Sequence, residues 1–329
     1  MYIMEGSKKM NVNNLLDDIN NKIDENSGME IYALTKKTKT LEIKRLNVAD
    51  EDRDISNSLI GLRNGFIQAI KDSLIDKCDT EIINLSSADE RGKAVFLYDL
   101  DKFPEEMEAM ENTAAHRNNF FVVGSDKFED IKGFIVVIGT EDCHVVLYKQ
   151  QYPISLLKRD RFMLTPIRHE SRFKRYDEDI LRIDFNYQFM LWENRFYITD
   201  IDKMEKICSF HALIKAEAAK SISDIQKINI LENPEVLSDD LDDITFARKL
   251  TRICKDSKVI GFVSNENIIN FTKKHTFFKK NPIKLNADGT KFLLDSKKSK
   301  NAFVRLMNDD LLTSELTNNY YEALAKNNW

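Results

Sequence analysis

The chain has 329 residues, 42% of them hydrophobic and 31% charged, with 10 Gly and 5 Pro. That mixture supports one large core or two smaller ones and excludes long disorder. The formal charge is −5, and the longest apolar run, residues 134–138, is far short of the roughly 18 residues that span a bilayer. With no apolar stretch resembling a signal peptide at the start, a soluble protein is expected. Cys78, Cys143, Cys208 and Cys254 are far apart and form no CxxC pair, so they read as buried thiols of a reducing cytoplasmic compartment.

In chain order, Val12, Leu15, Leu16, Ile19 and Ile23 mark a short helix that stops near Gly28. Residues 30–35 and 40–46 read as two strands, and Ile55, Leu59, Leu62, Phe66, Ile70 and Leu74 define a long amphipathic helix. Residues 94–98 form a short strand, and Pro104 sits where a helix through Ala115 would start. Residues 120–123, 133–138, 145–149 and 162–164 are β-rich, as are 181–191 and 195–199, the last two joined at Trp192-Glu193-Asn194. Hairpin-like connections favour an α+β fold with an antiparallel sheet and packing helices.

A long helix follows, with Met204, Ile207, His211, Ile214, Ala218, Ile222 and Ile225 on one stripe. It packs over the sheet, or its spacing near 3.5 residues serves a dimer seam. His211, on that stripe, reads as a core histidine. Residues 232–243 hold six acids and one Pro, and read as a linker. The domain organisation expected is therefore an N-terminal α+β region (1–130), a sheet with a long helix (131–231), the acidic linker (232–243) and a C-terminal lobe with an acidic tail (244–329).

That lobe carries the charge imbalance. Between Arg248 and Arg305 stand 15 Lys and Arg against four acids, a net of +11, whereas residues 1–247 carry −13. A basic segment in an acidic protein is the usual footprint of a polyanion site. Phe246, Ala247, Leu250, Ile253 and Cys254 point inward, leaving Arg248, Lys249, Arg252 and Lys255 toward solvent. Ser264 caps a second helix that ends in Lys273, Lys274 and His275. Asp288-Gly289, between Ile283/Leu285 and Phe292/Leu294, signals a hairpin. Helix, turn, helix and basic hairpin is the element order of a winged helix-turn-helix. The DNA-binding candidates in this mainly helical lobe are Arg248, Lys249, Arg252, Lys273, Lys274, Lys279, Lys280, Lys284, Lys291, Lys297, Lys298 and Lys300. A second basic run, 158–175, interleaves Phe162, Phe173 and Tyr176 with seven bases, of which Arg159, Arg161, Arg172, Lys174 and Arg175 are further candidates. Nothing points to base-specific readout, so the mode expected is sequence-tolerant binding of the backbone.

The strands Ile183-Asp184-Phe185 and Arg195-Phe196-Tyr197-Ile198, the helix after them, the Asp288-Gly289 hairpin and the Asp309-Asp310…Tyr320-Tyr321 tail together resemble the KwaB family of the two-gene Kiwa anti-phage defence system. The resemblance covers roughly residues 130–325 and carries no catalytic motif. It implies a DNA-binding defence effector, a homodimer, that is cytoplasmic and recruited to the inner membrane by a membrane-embedded partner, KwaA.

Chemistry is otherwise sparse. His116, His144, His169, His211 and His275 make no metal-ligand spacing, and there is no P-loop or GxSxG, so no cofactor, metal or catalytic residue is expected. Glu42-Ile43-Lys44 resembles the E-x-K of a metal-dependent nuclease, which needs a further carboxylate; Glu30 is the candidate across the hairpin. A third reading is an adaptor whose basic lobe grips an acidic protein or anionic lipid.

Overall fold

Two runs of consecutive apolar residues, around Ile31 and Phe134, have no polar alternation, so strands built from them must be covered on both faces. In the computed structural model this is what happens, and the fold is α+β. The structure describes residues 11–37, 40–48, 58–77, 81–87, 94–152, 156–157, 163–167, 172–176, 180–201, 203–204, 210–314, 316–317 and 319–323. The chain forms two compact units: Met1–Glu81 with Phe103–Cys208, and Ile82–Lys102 with Ser209–Trp329. Among the described residues no helix is long and apolar enough to cross a membrane.

The first unit begins with α1 (Val12–Lys22), β1 (Gly28–Lys37), β2 (Thr40–Arg45) and α2 (Ser58–Ile75); β3 (Ile82–Asn84) and β4 (Val95–Leu97) belong to the second. After α3 (Glu105–Glu111) come β5 (Ile131–Gly139), β6 (His144–Gln150), β7 (Leu156–Leu157), β8 (Met163–Ile167), β9 (Arg172–Tyr176), β10 (Ile180–Leu181), β11 (Phe189–Trp192) and β12 (Arg195–Ile198). The strands β2-β1-β5-β6-β11-β12 lie side by side, every neighbouring pair antiparallel. Ile31–Leu34 in β1 and Phe134, Ile135 and Val136 in β5 are at most 1% exposed. At roughly 1.5–3 kcal/mol per buried large apolar side chain, these strands anchor the unit. The β1–β5 pairing also merges the regions 1–130 and 131–231 into one sheet, where the sequence suggested two domains.

Local chemistry decides the turns. Gly139 ends β5 at φ 139°, and a Cβ there would lie 2.2 Å from the Cys143 carbonyl, so only glycine closes this hairpin. Glu193 and Asn194 both take positive φ, the geometry of a tight hairpin that follows strand twist. Three expectations change. Residues 120–123 form isolated bridges rather than a strand, because Val122 N–H donates to the Asp126 carboxylate (2.9 Å) and the chain turns. The β8 strand pairs with β9 in a separate hairpin, outside the large sheet. The strand expected from residue 181 starts only at Phe189, because Asp184 turns to meet the buried Lys149 (2.5 Å) and its own Asn186 N–H.

The second unit contains α4 (Phe210–Ile228), α5 (Ile244–Asp256), α6 (Asn265–Lys274), the single-turn α7 (Phe277–Lys280), β13 (Lys284–Leu285), β14 (Phe292–Leu293), α8 (Lys297–Met307), β15 (Leu311–Thr313) and β16 (Tyr320–Glu322). Helix α4 packs along α5, which also meets α8. Asp243, Ser264 and Ser296 cap α5, α6 and α8 through their side chains, each accepting from the N–H three residues on. The buried stripe of α4 is Phe210, Ile214, Ala218, Ile222 and Ile225, and His211 stands exposed beside it. Its expected core position is thus corrected, since Phe210 takes the inward place one residue away.

Residues 232–243 are corrected as well. They lie inside this unit, with a 3-10 helix at Pro234–Asp240 and Leu237 fully buried, and Asn233 exchanges two hydrogen bonds with the Leu294 backbone. The β13–β14 loop spans residues 286–291, longer than a two-residue turn, because the Asn286 side chain accepts from the Thr290 and Lys291 N–H groups. Gly289 holds φ 70° there. Cys143 and Cys254 are half-buried free thiols; Cys78 and Cys208 lie outside the described residues.

Candidate nucleic-acid interface

The net charge of the lobe does not face solvent evenly. Lys300 is 7% exposed and sits between Asp240 (2.9 Å) and Asp239 (3.1 Å). Burial works against its charge, but the two carboxylates outweigh that and hold its pKa above the ordinary lysine value. Lys297 meets Asp243 at 3.3 Å, Lys284 meets Asp295 at 2.6 Å, and Lys291 reaches Glu232 at 3.9 Å. On α5, Arg252 is 11% exposed at its side chain and lies 3.8 Å from Asp310. Arg248 and Lys249 are half-buried there and engaged in contacts of their own, so α5 is not the open cationic face its periodicity suggested. Glu232, Asp239, Asp240, Asp243 and Asp310 supply much of this neutralisation.

A second group differs. Lys273 and Lys274 end α6, Lys279 and Lys280 end α7, and Lys298 lies in the first turn of α8; all are exposed, with no carboxylate in ion-pair range among the described residues. Lys298 donates to the Lys280 carbonyl (2.6 Å), which brings α8 to the end of α7. Between the lysine pairs sits His275, 3% exposed, whose ring lies 4.3 Å from that of Tyr320 and 4.9 Å from that of Phe271. Its Nδ1 accepts from the Phe277 N–H (3.2 Å), which fixes the bend from α6 into α7. Burial pushes the His275 pKa down, against a contact to the Leu312 backbone, so the ring is a neutral spacer at pH 7. Helix C-termini also favour lysine through the macrodipole, worth about 0.3–1 kcal/mol, which gives Lys273 and Lys274 a local role too. Like charges held close without counter-charge are nonetheless relieved by a polyanion.

The second basic run is only partly placed. Arg159 and Arg161 lie outside the described residues; Arg172, Lys174 and Arg175 stand on β9, opposite Ile167, Thr165 and Leu164 of β8. The Glu42/Lys44 pair is placed fully. Lys44 Nζ meets Asp126 at 2.5 Å and Glu42 at 3.5 Å, and Lys37 reaches the same Asp126 oxygen at 3.3 Å. The Lys44 hydrogen bond, then the Val122 N–H, hold the Asp126 pKa down to about 2. Glu30 does not join them, because register puts it on the opposite face, with Tyr32 and Arg45. The extra carboxylate is Asp126, already saturated by two lysines and a backbone amide. Among the described residues no group of three or more His, Cys, Asp or Glu could hold a metal ion.

Sequence reasoning found all five unpaired lysines but could not separate them from the paired ones. The pairing depends on acids 11–61 residues away in the chain, and no periodicity encodes it.

Comparison with known proteins gives two matches. The family model described as "Kiwa protein KwaB-like" matches residues 128–317. The Kiwa protein KwaB of Escherichia coli O55:H7 is 29% identical over 320 residues, covering 96% of this chain and 98% of that protein. No solved structure matches.

Proposed function

The chain belongs to the Kiwa protein KwaB-like family, and from that premise we propose that it is an anti-phage defence effector that binds DNA through phosphate contacts and obstructs phage replication or transcription without cutting. The observation that carries the reading is the exposed group Lys273, Lys274, Lys279, Lys280 and Lys298, which has no carboxylate counter-charge among the described residues. Lysine contacts to phosphate release counterions and are indifferent to sequence, so binding is sequence-tolerant and salt-sensitive. The chain acts with the membrane-embedded partner KwaA, a part of the reading that family membership supports, and it does so as a homodimer.

Charge reversal tests the DNA face. Lys273→Glu, Lys274→Glu, Lys279→Glu and Lys280→Glu combined abolish duplex retardation in a gel shift while the circular dichroism spectrum stays native. Unchanged affinity would move the site to the basic run Lys158–Arg175 or elsewhere. Plasmid cleavage that requires magnesium would contradict the non-cutting mode, and stronger binding to anionic vesicles than to duplex would favour an adaptor role. The partner is tested by fractionation: the chain sediments with membranes only in cells that carry the partner gene, and sedimentation without that gene contradicts recruitment.

A further inference from the structure

A cleft of about 560 Å3 opens between α6 and the β13–β14 loop, wholly within the second unit. Its polar lining includes Asn229, Glu266, Asn270, Lys273, Thr290 and Lys291, with Ile269 as an apolar wall. Glu266, Asn270 and Lys273 stand at i, i+4 and i+7, one face of α6. Asn229 takes φ 58° just after α4, and Gly289 has open space where a Cβ would point. The side chains of Asn229, Glu266, Asn270, Lys273 and Thr290 have no hydrogen-bond or ion-pair partner among the described residues. Lys291 makes a long 3.9 Å contact to Glu232.

Unused amides, a hydroxyl, a carboxylate and two ammonium groups therefore converge on one concave surface, and its volume is within the roughly 300–1,000 Å3 of ligand pockets. Carboxamides offer donor and acceptor side by side, which matches the edge of a nucleobase. Ammonium groups take phosphate as point charges. We propose that this cleft binds a nucleotide unit, with its phosphate on Lys273 and Lys291 and its base edge on Asn270 and Asn229. The ligand is either a free mononucleotide or one nucleotide of a bound strand. The cleft shares Lys273 with the DNA face proposed above and rests on that reading only in the strand case.

Calorimetry on the full-length protein with dAMP and dTMP, beside anisotropy with a single-stranded oligonucleotide and a duplex, tests the proposal. Asn270→Ala is the main variant, since alanine favours the helix; Asn229→Gly keeps the left-handed backbone. Asn267→Ala, on an exposed α6 residue outside the cleft lining, is the control. Saturable mononucleotide binding that weakens ten-fold or more in Asn270→Ala, but not in Asn267→Ala, supports a free-nucleotide site. A ten-fold loss confined to the strand supports a nucleotide within DNA. Affinities unmoved by both cleft variants, or moved equally by the control, overturn the proposal. Lysine reversal that leaves DNA binding intact, beside a ten-fold mononucleotide loss in Asn270→Ala, would overturn the DNA reading and keep the cleft.

Discussion

The α5/α8 side of the basic lobe carries eight lysines and arginines and its α6/α7 side four, yet, Lys298 apart, it is the smaller set that is the more available. On the first, Arg252 and Lys300 are nearly buried and, with Lys297, face Asp310, Asp239, Asp240 and Asp243. On the second, Lys273, Lys274, Lys279 and Lys280 are exposed without such partners. Formal charge along a sequence therefore overstates the field that a polyanion meets. What counts is the charge left after the fold has paired the rest.

The largest effect that can break this contrast is the quadruple charge reversal on α6 and α7. It should lower DNA affinity by at least about 10³-fold in moderate salt, since lost phosphate contacts are compounded by repulsion; a gel-shift titration measures it. Reversal of the carboxylate-paired Lys284 and Lys297 should cost far less. If the two sets weaken binding equally, the contrast is wrong.

Next in size is Lys300→Ala, which leaves Asp240 without its cation. Removing one partner of a buried ion pair costs about 3–5 kcal/mol, and the largely exposed Asp239 reduces this to about 2–3 kcal/mol. Urea unfolding gives the number, and DNA affinity measured on the remaining folded protein should change little.

The same pairing logic in the first unit predicts an acid response. Asp126 has a folded pKa of about 2 against the ordinary 3.8, so its contribution is complete above 3.8 and is lost as pH falls through about 2. That difference amounts to about 2 kcal/mol. Asp126→Asn should lower stability at pH 7 by about this much and flatten the stability profile between about pH 4 and 2. An unchanged acid limb would show that the Lys37–Asp126–Lys44 cluster holds nothing.

The smallest effect sharpens the ranking. Lys284 pairs with Asp295 at 2.6 Å on an exposed surface, where solvent screens the attraction. Lys284→Gln should leave the thermal midpoint nearly unchanged.

Apolar periodicity made much of the fold legible. The α1 positions Val12, Leu15, Leu16, Ile19 and Ile23 are all buried, as are Phe246, Ala247, Leu250 and Ile253 of α5. It failed where a polar side chain redirected the backbone: Asp126 at residues 120–123, Asp184 before Phe189, Asn286 in the β13–β14 loop. The acidic stretch 232–243 looked like a linker because its two buried leucines, Leu237 and Leu241, are outnumbered by carboxylates. Those carboxylates are there to meet lysines of the same unit. The candidate site was legible as a region, from Arg248 to Arg305, but the selection within it depended on tertiary pairing.

The slope of log affinity against log salt tests the account most directly. Each phosphate contact to a duplex contributes about −0.9 to that slope. Neutralising Lys273, Lys274, Lys279 and Lys280 to Gln should flatten it by about three to four units, whereas neutralising Lys284 and Lys297 should change it by about one unit or less. A slope that flattens in proportion to the number of lysines removed, whichever side of the lobe they come from, would contradict the account.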